Sequence, residues 1–128
     1  MKTFKDEDFL FDSFWFVESM IYFLSSLIEE LKSATTCNYI NLFREASDSM
    51  IRTSKLIDLF IDKWENDECK ICSTLSSIRQ YYSFYGVTLN NSSPSKYHND
   101  VKNIVDSLNT EKLVLEVRLN SIITFLNK

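Results

Sequence analysis

Glycine and proline are almost absent from this sequence, which has one residue of each, Gly86 and Pro94, among 128. An average domain has about 7% glycine and about 5% proline, most of it in turns, bulges and tight loops. Because a chain this poor in both residues has few tight turns, we expect long helices joined by few loops. The same scarcity excludes glycine-rich phosphate-binding loops, since the backbone approaches a phosphate closely only where side chains are missing.

An excess of positive charge is also missing. The formal net charge is -4 at pH 7, and lysine and arginine form no dense run along the chain. A chain with this charge has no general attraction for nucleic acid or for an anionic membrane surface. We therefore expect no nucleic-acid partner.

Cysteines are few and odd in number. The three are Cys37, Cys69 and Cys72, and acidic residues occupy positions 6–8. Acidic residues there argue against a secretory signal peptide, and reduced thiols are the rule in the cytoplasm and nucleus. The sequence therefore predicts an intracellular location.

Residues 9–28 form an apolar stretch long enough to be weighed as a membrane span. Asp12 and Glu18 interrupt the stretch, and polar residues recur every seven positions at Asp12, Ser19 and Ser26. A seven-residue polar repeat is typical of a helix with one solvent-facing stripe rather than of a bilayer span. We predict no membrane span.

The 3.6-residue period of the apolar positions predicts four helices, at about residues 8–33, 38–66, 68–85 and 94–125. Four long helices with short connections favour an all-α, antiparallel, up-down-up-down four-helix bundle that forms one domain over residues 1–128. The second helix has the clearest core-facing pattern, Tyr39, Phe43, Ala46, Met50, Thr53, Ile57, Phe60 and Trp64. The corresponding stripe of the first helix is Phe9, Phe16, Val17, Met20, Leu24, Leu27, Ile28 and Leu31.

The single glycine and proline mark two expected helix boundaries. Gly86 is predicted to end the third helix in the left-handed conformation, with Val87 as its hydrophobic partner. Ser93 is predicted to cap the fourth helix, with Pro94 as its first helical residue. The polar pair at residues 109–110 leaves open whether the fourth helix is continuous.

The sharpest apparent chemical motif is the C-x2-C pair of Cys69 and Cys72, since this spacing supplies half of many zinc sites. Cys37 and His98 would complete a set of four ligands. In an up-down-up-down bundle, however, Cys37 and His98 lie at one end and the C-x2-C pair at the other. A helix of ~28 residues spans ~40 Å, whereas zinc ligands lie within ~2.3 Å of the ion. We predict no metal site.

Catalytic patterns are also missing. His98 is the only histidine, and no Gly-x-Ser-x-Gly elbow is present. Acidic neighbours such as Glu29 and Glu30 point in different directions on a helix, whereas paired-carboxylate catalysis needs two groups that converge on a cleft. We therefore expect no catalytic residue, no cofactor and no small-molecule substrate.

Apolar residues remain on the predicted outer faces of the first and fourth helices. At 100° per residue these are Phe11, Trp15 and Tyr22 on the first helix, and Leu113 and Val117, with Val114 beside them, on the fourth. The two helices are neighbours in the predicted bundle, so the two groups are expected to form one apolar patch that contacts a partner. Two alternatives stay open, namely that Trp15 is a core residue or that a second copy of the chain covers the patch.

These expectations favour a non-catalytic protein–protein interaction module, an adaptor, assembly subunit or inhibitor, that binds a protein partner or itself as a homodimer. The alternative is a virus-encoded helical antagonist of host cell-death or signalling proteins with a helix-binding groove. The Asn-Trp-Gly-Arg signature of the Bcl-2-like family is missing, so no resemblance to that family is claimed. A ligand or metal carrier is the least favoured class, because the predicted core stripes have almost no polar side chains.

Overall fold

A computed structural model describes residues 7–64 and 70–127 of the chain. These residues form four helices and no strand, with bounds α1 (Glu7–Lys32), α2 (Tyr39–Lys63), α3 (Lys70–Asn90) and α4 (Tyr97–Leu126). The all-α class is confirmed, and the packing fits the predicted four-helix bundle. Within the same ranges, no helix is both long enough and apolar enough to cross a bilayer.

The four helices pack as two close pairs, α1 with α4 and α2 with α3. The loops that precede α2 and α4 meet at one end of the bundle. There the Thr36 hydroxyl lies 3.3 Å from the Tyr97 hydroxyl, and the Tyr39 and Tyr97 rings stack with their centroids 5.2 Å apart. Near the other end, Lys63 Nζ lies 2.6 Å from Asp12 Oδ2 and joins α2 to α1. The contacts between α3 and α4 are looser than those within the close pairs.

The predicted start of α4 is wrong by one turn. Tyr97 is its first residue, so Ser93 and Pro94 belong to the preceding turn. The backbone amide of Tyr97 donates to the Ser93 carbonyl at 2.9 Å, and that of Tyr39 donates to the Thr35 carbonyl at 3.0 Å. Backbone bonds of this kind satisfy amides that a side-chain cap would otherwise serve. The two stacked tyrosines are thus the first residues of α2 and α4.

The predicted end of α3 is also wrong. The helix continues through Gly86 to Asn90, and no described residue has a positive φ. Buried Tyr85 and Leu89 lie on either side of Gly86, so the core-facing stripe continues past the glycine. The burial of Leu89 gives a reason for the helix to extend where glycine alone predicts a stop. Gly86 faces α2, where a Cβ at this position would lie 3.8 Å from Ser47 Oγ.

Replacement of Gly86 by alanine should therefore stabilise the protein. A distance of 3.8 Å is ordinary van der Waals contact, and alanine is favoured over glycine inside a helix by about 0.5–1 kcal/mol. Urea unfolding of Gly86→Ala should show a free energy of unfolding higher by about that amount. If Gly86 instead ended α3 in the left-handed conformation, the substitution would be destabilising. The sign of the change therefore shows whether α3 ends at Gly86 or continues past it.

The polar pair at residues 109–110 does not interrupt α4. The helix runs without a break to Leu126, and the Thr110 hydroxyl donates to the Asp106 carbonyl one turn earlier, at 3.2 Å. Because the side chain bonds within its own helix, it does not compete for other backbone groups. The open question about α4 is settled in favour of one continuous helix.

The core follows the predicted stripes with a few differences. Trp64 and all the predicted α2 residues are buried. On α1 the stripe includes Leu10 and Ser13, which were not predicted, whereas Phe16 is only partly buried. Phe16 stacks on Phe60 with centroids 4.7 Å apart, so its ring fills the seam between α1 and α2.

Candidate functional site

The five residues predicted to contact a partner all lie on the surface. They are Phe11, Trp15 and Tyr22 on α1, and Leu113 and Val117 on α4. The side chain of Trp15 is 63% exposed. Trp15 is therefore not a core residue of this chain, and the rotational orientation predicted for α1 and α4 is correct.

The surroundings of Trp15 extend the apolar surface in a direction that the sequence analysis missed. A shallow hollow of about 390 Å³ lies on the surface between α1 and α2. Trp15 of α1 lines it together with Leu56 and Leu59 of α2. Both leucines are exposed. The apolar surface thus continues from α1 onto α2, and we call Phe11, Trp15, Leu56 and Leu59 the Trp15 surface. Phe11 belongs to it because it lies one helical turn from Trp15.

On the α4 side the predicted patch is less uniform. Leu113 and Val117 are exposed. That they form one continuous apolar patch with the α1 residues stays a prediction. Val114, which was predicted beside them, is exposed as well. It also lines a hollow between α3 and α4 together with Ile78 and Tyr81, so this part of the surface borders α3.

A groove runs between α3 and α4, where the packing is loose. It consists of two hollows of about 580 Å³ and about 230 Å³ that share Tyr81, Thr110 and Glu111. We call this feature the α3/α4 groove. Its larger hollow is lined by Gln80, Tyr81, Phe84, Tyr85, Ser107, Thr110 and Glu111.

Glu111 is a carboxyl group in a site that is otherwise largely apolar. Its side chain contributes to both hollows, yet the residue is only 8% exposed. The Tyr85 hydroxyl donates to Oε2 at 3.2 Å, whereas Oε1 has no hydrogen-bond partner among the described residues. Burial raises the pKa of Glu111 to about 7, and the hydrogen bond from Tyr85 lowers it only in part.

Burial near Glu111 also shifts the pKa values of two tyrosines of α3. Burial, and after it the nearby Glu111 carboxylate, raises the pKa values of Tyr82 and Tyr85 well above their usual value. The Tyr82 hydroxyl is buried without a hydrogen-bond partner among the described residues, and its ring meets Phe23 of α1 with centroids 6.2 Å apart. The hydroxyl groups of both tyrosines therefore stay protonated and neutral at physiological pH.

Sequence reasoning missed Glu111 although a signal was present. In the sequence, Ile104, Leu108 and Leu115 follow the three-and-four spacing of a core-facing stripe, and position 111 falls on the same stripe. The charge of the residue led to its omission, since glutamate is seldom fully buried. A charged residue at a core-facing position is the feature that indicates an internal polar site.

The described cysteine and histidine side chains do not form one cluster. Cys37 lies in the loop beside Thr36, at the end where the His98 Nε2 is 3.0 Å from the Tyr97 hydroxyl. Cys72 lies at the other end, where its Sγ is 3.5 Å from the Trp64 carbonyl oxygen. Cys69 falls outside the described residues. Within residues 7–64 and 70–127, no three His, Cys, Asp or Glu side chains form a group suited to a metal ion.

Comparisons with models of protein families, with curated proteins and with solved structures found no match. The described residues form an all-α, four-helix architecture with two distinct surface features. These features, the Trp15 surface and the α3/α4 groove, are the basis on which its function is inferred.

Proposed function

We propose that this chain is a non-catalytic protein–protein interaction module that associates with a second copy of itself through the Trp15 surface. The observation that carries the proposal is the exposed indole of Trp15 beside a hollow on the same face. An intracellular location and a role as adaptor, assembly subunit or inhibitor stay predictions of the sequence.

The Trp15 surface has the features of a self-complementary interface. In a two-fold dimer the same patch of each subunit meets its copy, so a protruding group and a hollow on one patch can fill each other. Trp15 supplies the protruding group, and Leu56 and Leu59 line the hollow. Asp12 and Lys63 at the same hollow supply charges of both signs.

Residue type also favours an interface. Tryptophan and tyrosine are enriched among residues that dominate binding energies, and a stable interface buries about 800 Å² on each partner. Tyr22 adds a further exposed aromatic ring on α1 to those of the Trp15 surface. We propose that Leu113 and Val117 of the neighbouring α4 contribute the outer part of the contact.

Substitution of Trp15 by glutamate tests the proposal. A buried, unpaired charge at the centre of an interface opposes association, so Trp15→Glu should abolish self-association while helicity and the free energy of unfolding of the monomer stay nearly unchanged. The measurement is sedimentation equilibrium together with circular dichroism. The matched control is Val87→Glu, since Val87 is also 63% exposed but lies on α3, which makes little contact with α1.

The possible outcomes show whether Trp15 is an interface residue or a structural one. Loss of association in Trp15→Glu but not in Val87→Glu supports the proposal. Unfolding of Trp15→Glu would show that the indole is structural, and equal effects of both variants would show that any added charge acts through general repulsion.

A heterologous partner is the second candidate, and the charge of α1 favours it. The described acidic side chains of α1 are Asp8, Asp12, Glu18, Glu29 and Glu30, against one lysine, Lys32. Acidic groups around an apolar surface complement a partner with basic residues. In that case a purified partner would bind the wild-type chain with an affinity that falls as salt rises, and Trp15→Glu would not bind it.

A further inference from the structure

We propose that the α3/α4 groove binds a small organic cation, an ammonium or guanidinium group attached to a short apolar body. The proposal concerns a site separate from the Trp15 surface and is independent of self-association. Three features of the groove carry it, namely its aromatic wall, its buried carboxyl group and its size.

The aromatic wall lies on α3. Tyr81 and Phe84 are both exposed and line the larger hollow. The Tyr81 ring stacks on the Tyr85 ring, with centroids 6.1 Å apart and planes 14° from parallel. Aromatic faces attract organic cations through their ring electrons, and aromatic cages around ammonium groups are a common form of this interaction.

The carboxyl group beneath the wall gives the site its preference for positive charge. Glu111 Oε2 is held by Tyr85, whereas Oε1 has no hydrogen-bond partner among the described residues. An unsatisfied buried oxygen is unfavourable, and a cation in the groove would relieve this through its charge. Because Oε1 is shielded from water, we expect side chains that line the groove to shift as the cation enters.

The size of the groove fits a small molecule. A hollow of about 580 Å³ falls within the range of about 300–1,000 Å³ typical of ligand sites. The adjoining hollow of about 230 Å³ is lined in part by Ile78 and Val114, which suit an apolar tail. Gln80 and Ser107 supply polar groups at the larger hollow.

The test compares two probes that differ in charge, phenethylamine and 2-phenylethanol. Binding is followed by chemical-shift changes of the tyrosine and phenylalanine rings in the wild-type protein. Phenethylamine should bind at least about tenfold more tightly than the alcohol, because only the amine pairs with the carboxylate. Its affinity should also rise up to about tenfold between about pH 6 and about pH 8, as Glu111 ionises around its pKa of about 7.

Three variants decide between specific and general binding. Glu111→Gln should lose the preference for the amine and its pH dependence, while circular dichroism shows the helices intact. Phe84→Ala should weaken the binding of both probes by removing part of the wall. Tyr22→Ala removes an exposed aromatic ring outside the groove and should bind like the wild type.

The proposal is overturned if neither probe binds, if amine and alcohol bind equally well, or if Glu111→Gln retains the charge preference. It is also overturned if Tyr22→Ala weakens binding as much as Phe84→Ala, since the probes would then adsorb to any exposed ring. Whether the Trp15 surface binds a second copy of the chain or a different protein changes none of these outcomes.

Discussion

Replacement of Phe9 by alanine is expected to lower the free energy of unfolding by about 3–5 kcal/mol, the range for a large aromatic residue removed from a core. Phe9 is 0% exposed, and its ring contacts Trp64 edge-on with centroids 5.2 Å apart and Phe60 at 6.2 Å. The substitution leaves a cavity where α1 meets the end of α2. Urea unfolding followed by circular dichroism measures the effect.

Phe11 provides the matched control for this prediction. It lies two residues away on the same helix but is 48% exposed, so Phe11→Ala should lower the free energy of unfolding by about 1 kcal/mol or less. The fluorescence of buried Trp64, measured in a Trp15→Phe background, should change only in Phe9→Ala. Equal losses in the two variants would contradict the orientation of α1 on which the Trp15 surface depends.

Glu111 is expected to make the protein less stable as the pH rises from about 5 to about 8. Its pKa is about 7 in the folded chain, against an ordinary value of 4.5. The folded chain therefore holds the proton more tightly than the unfolded chain. The stabilisation that this provides is complete below about pH 4.5 and is lost as the pH rises through 7, a change of about 3 kcal/mol.

A comparison with Glu111→Gln isolates this contribution from all other ionisable groups. Glutamine keeps an oxygen that accepts the Tyr85 hydrogen bond but does not ionise. The difference in free energy of unfolding between the two proteins should therefore shift by about 2.5 kcal/mol between about pH 5 and about pH 8, with the wild type relatively weaker at the higher pH. Glu45→Gln, at an exposed position of α2, should show no such shift. A constant difference between wild type and Glu111→Gln would mean that Glu111 is not buried.

The sequence was sufficient for the class of fold and for the orientation of the helices. The spacing of Phe43, Met50 and Ile57 defines one inward stripe, and each of these residues is buried. The exposure of Trp15 and Val117 follows from the same rotation of 100° per residue. Periodicity succeeds here because burial of a continuous stripe outweighs local preferences.

Helix ends and the groove could not be predicted, for two physical reasons. Gly86 and Pro94 have strong local preferences, but the burial of Leu89 and the turn before Tyr97 determine where the helices stop and start. The α3/α4 groove depends on how far apart two helices pack, which no single stripe specifies. In the same way, Leu56 became part of a site only when packing placed it beside Trp15.

The central claim, that the Trp15 surface mediates self-association, is tested most directly by the solution mass of the wild-type chain across a concentration series. The monomer has a mass of 15.1 kDa. Sedimentation equilibrium is expected to show the mass rise towards twice this value as the concentration increases, and Trp15→Glu to stay at the monomer mass throughout. A wild-type chain that stays at 15.1 kDa over the whole series would contradict the claim.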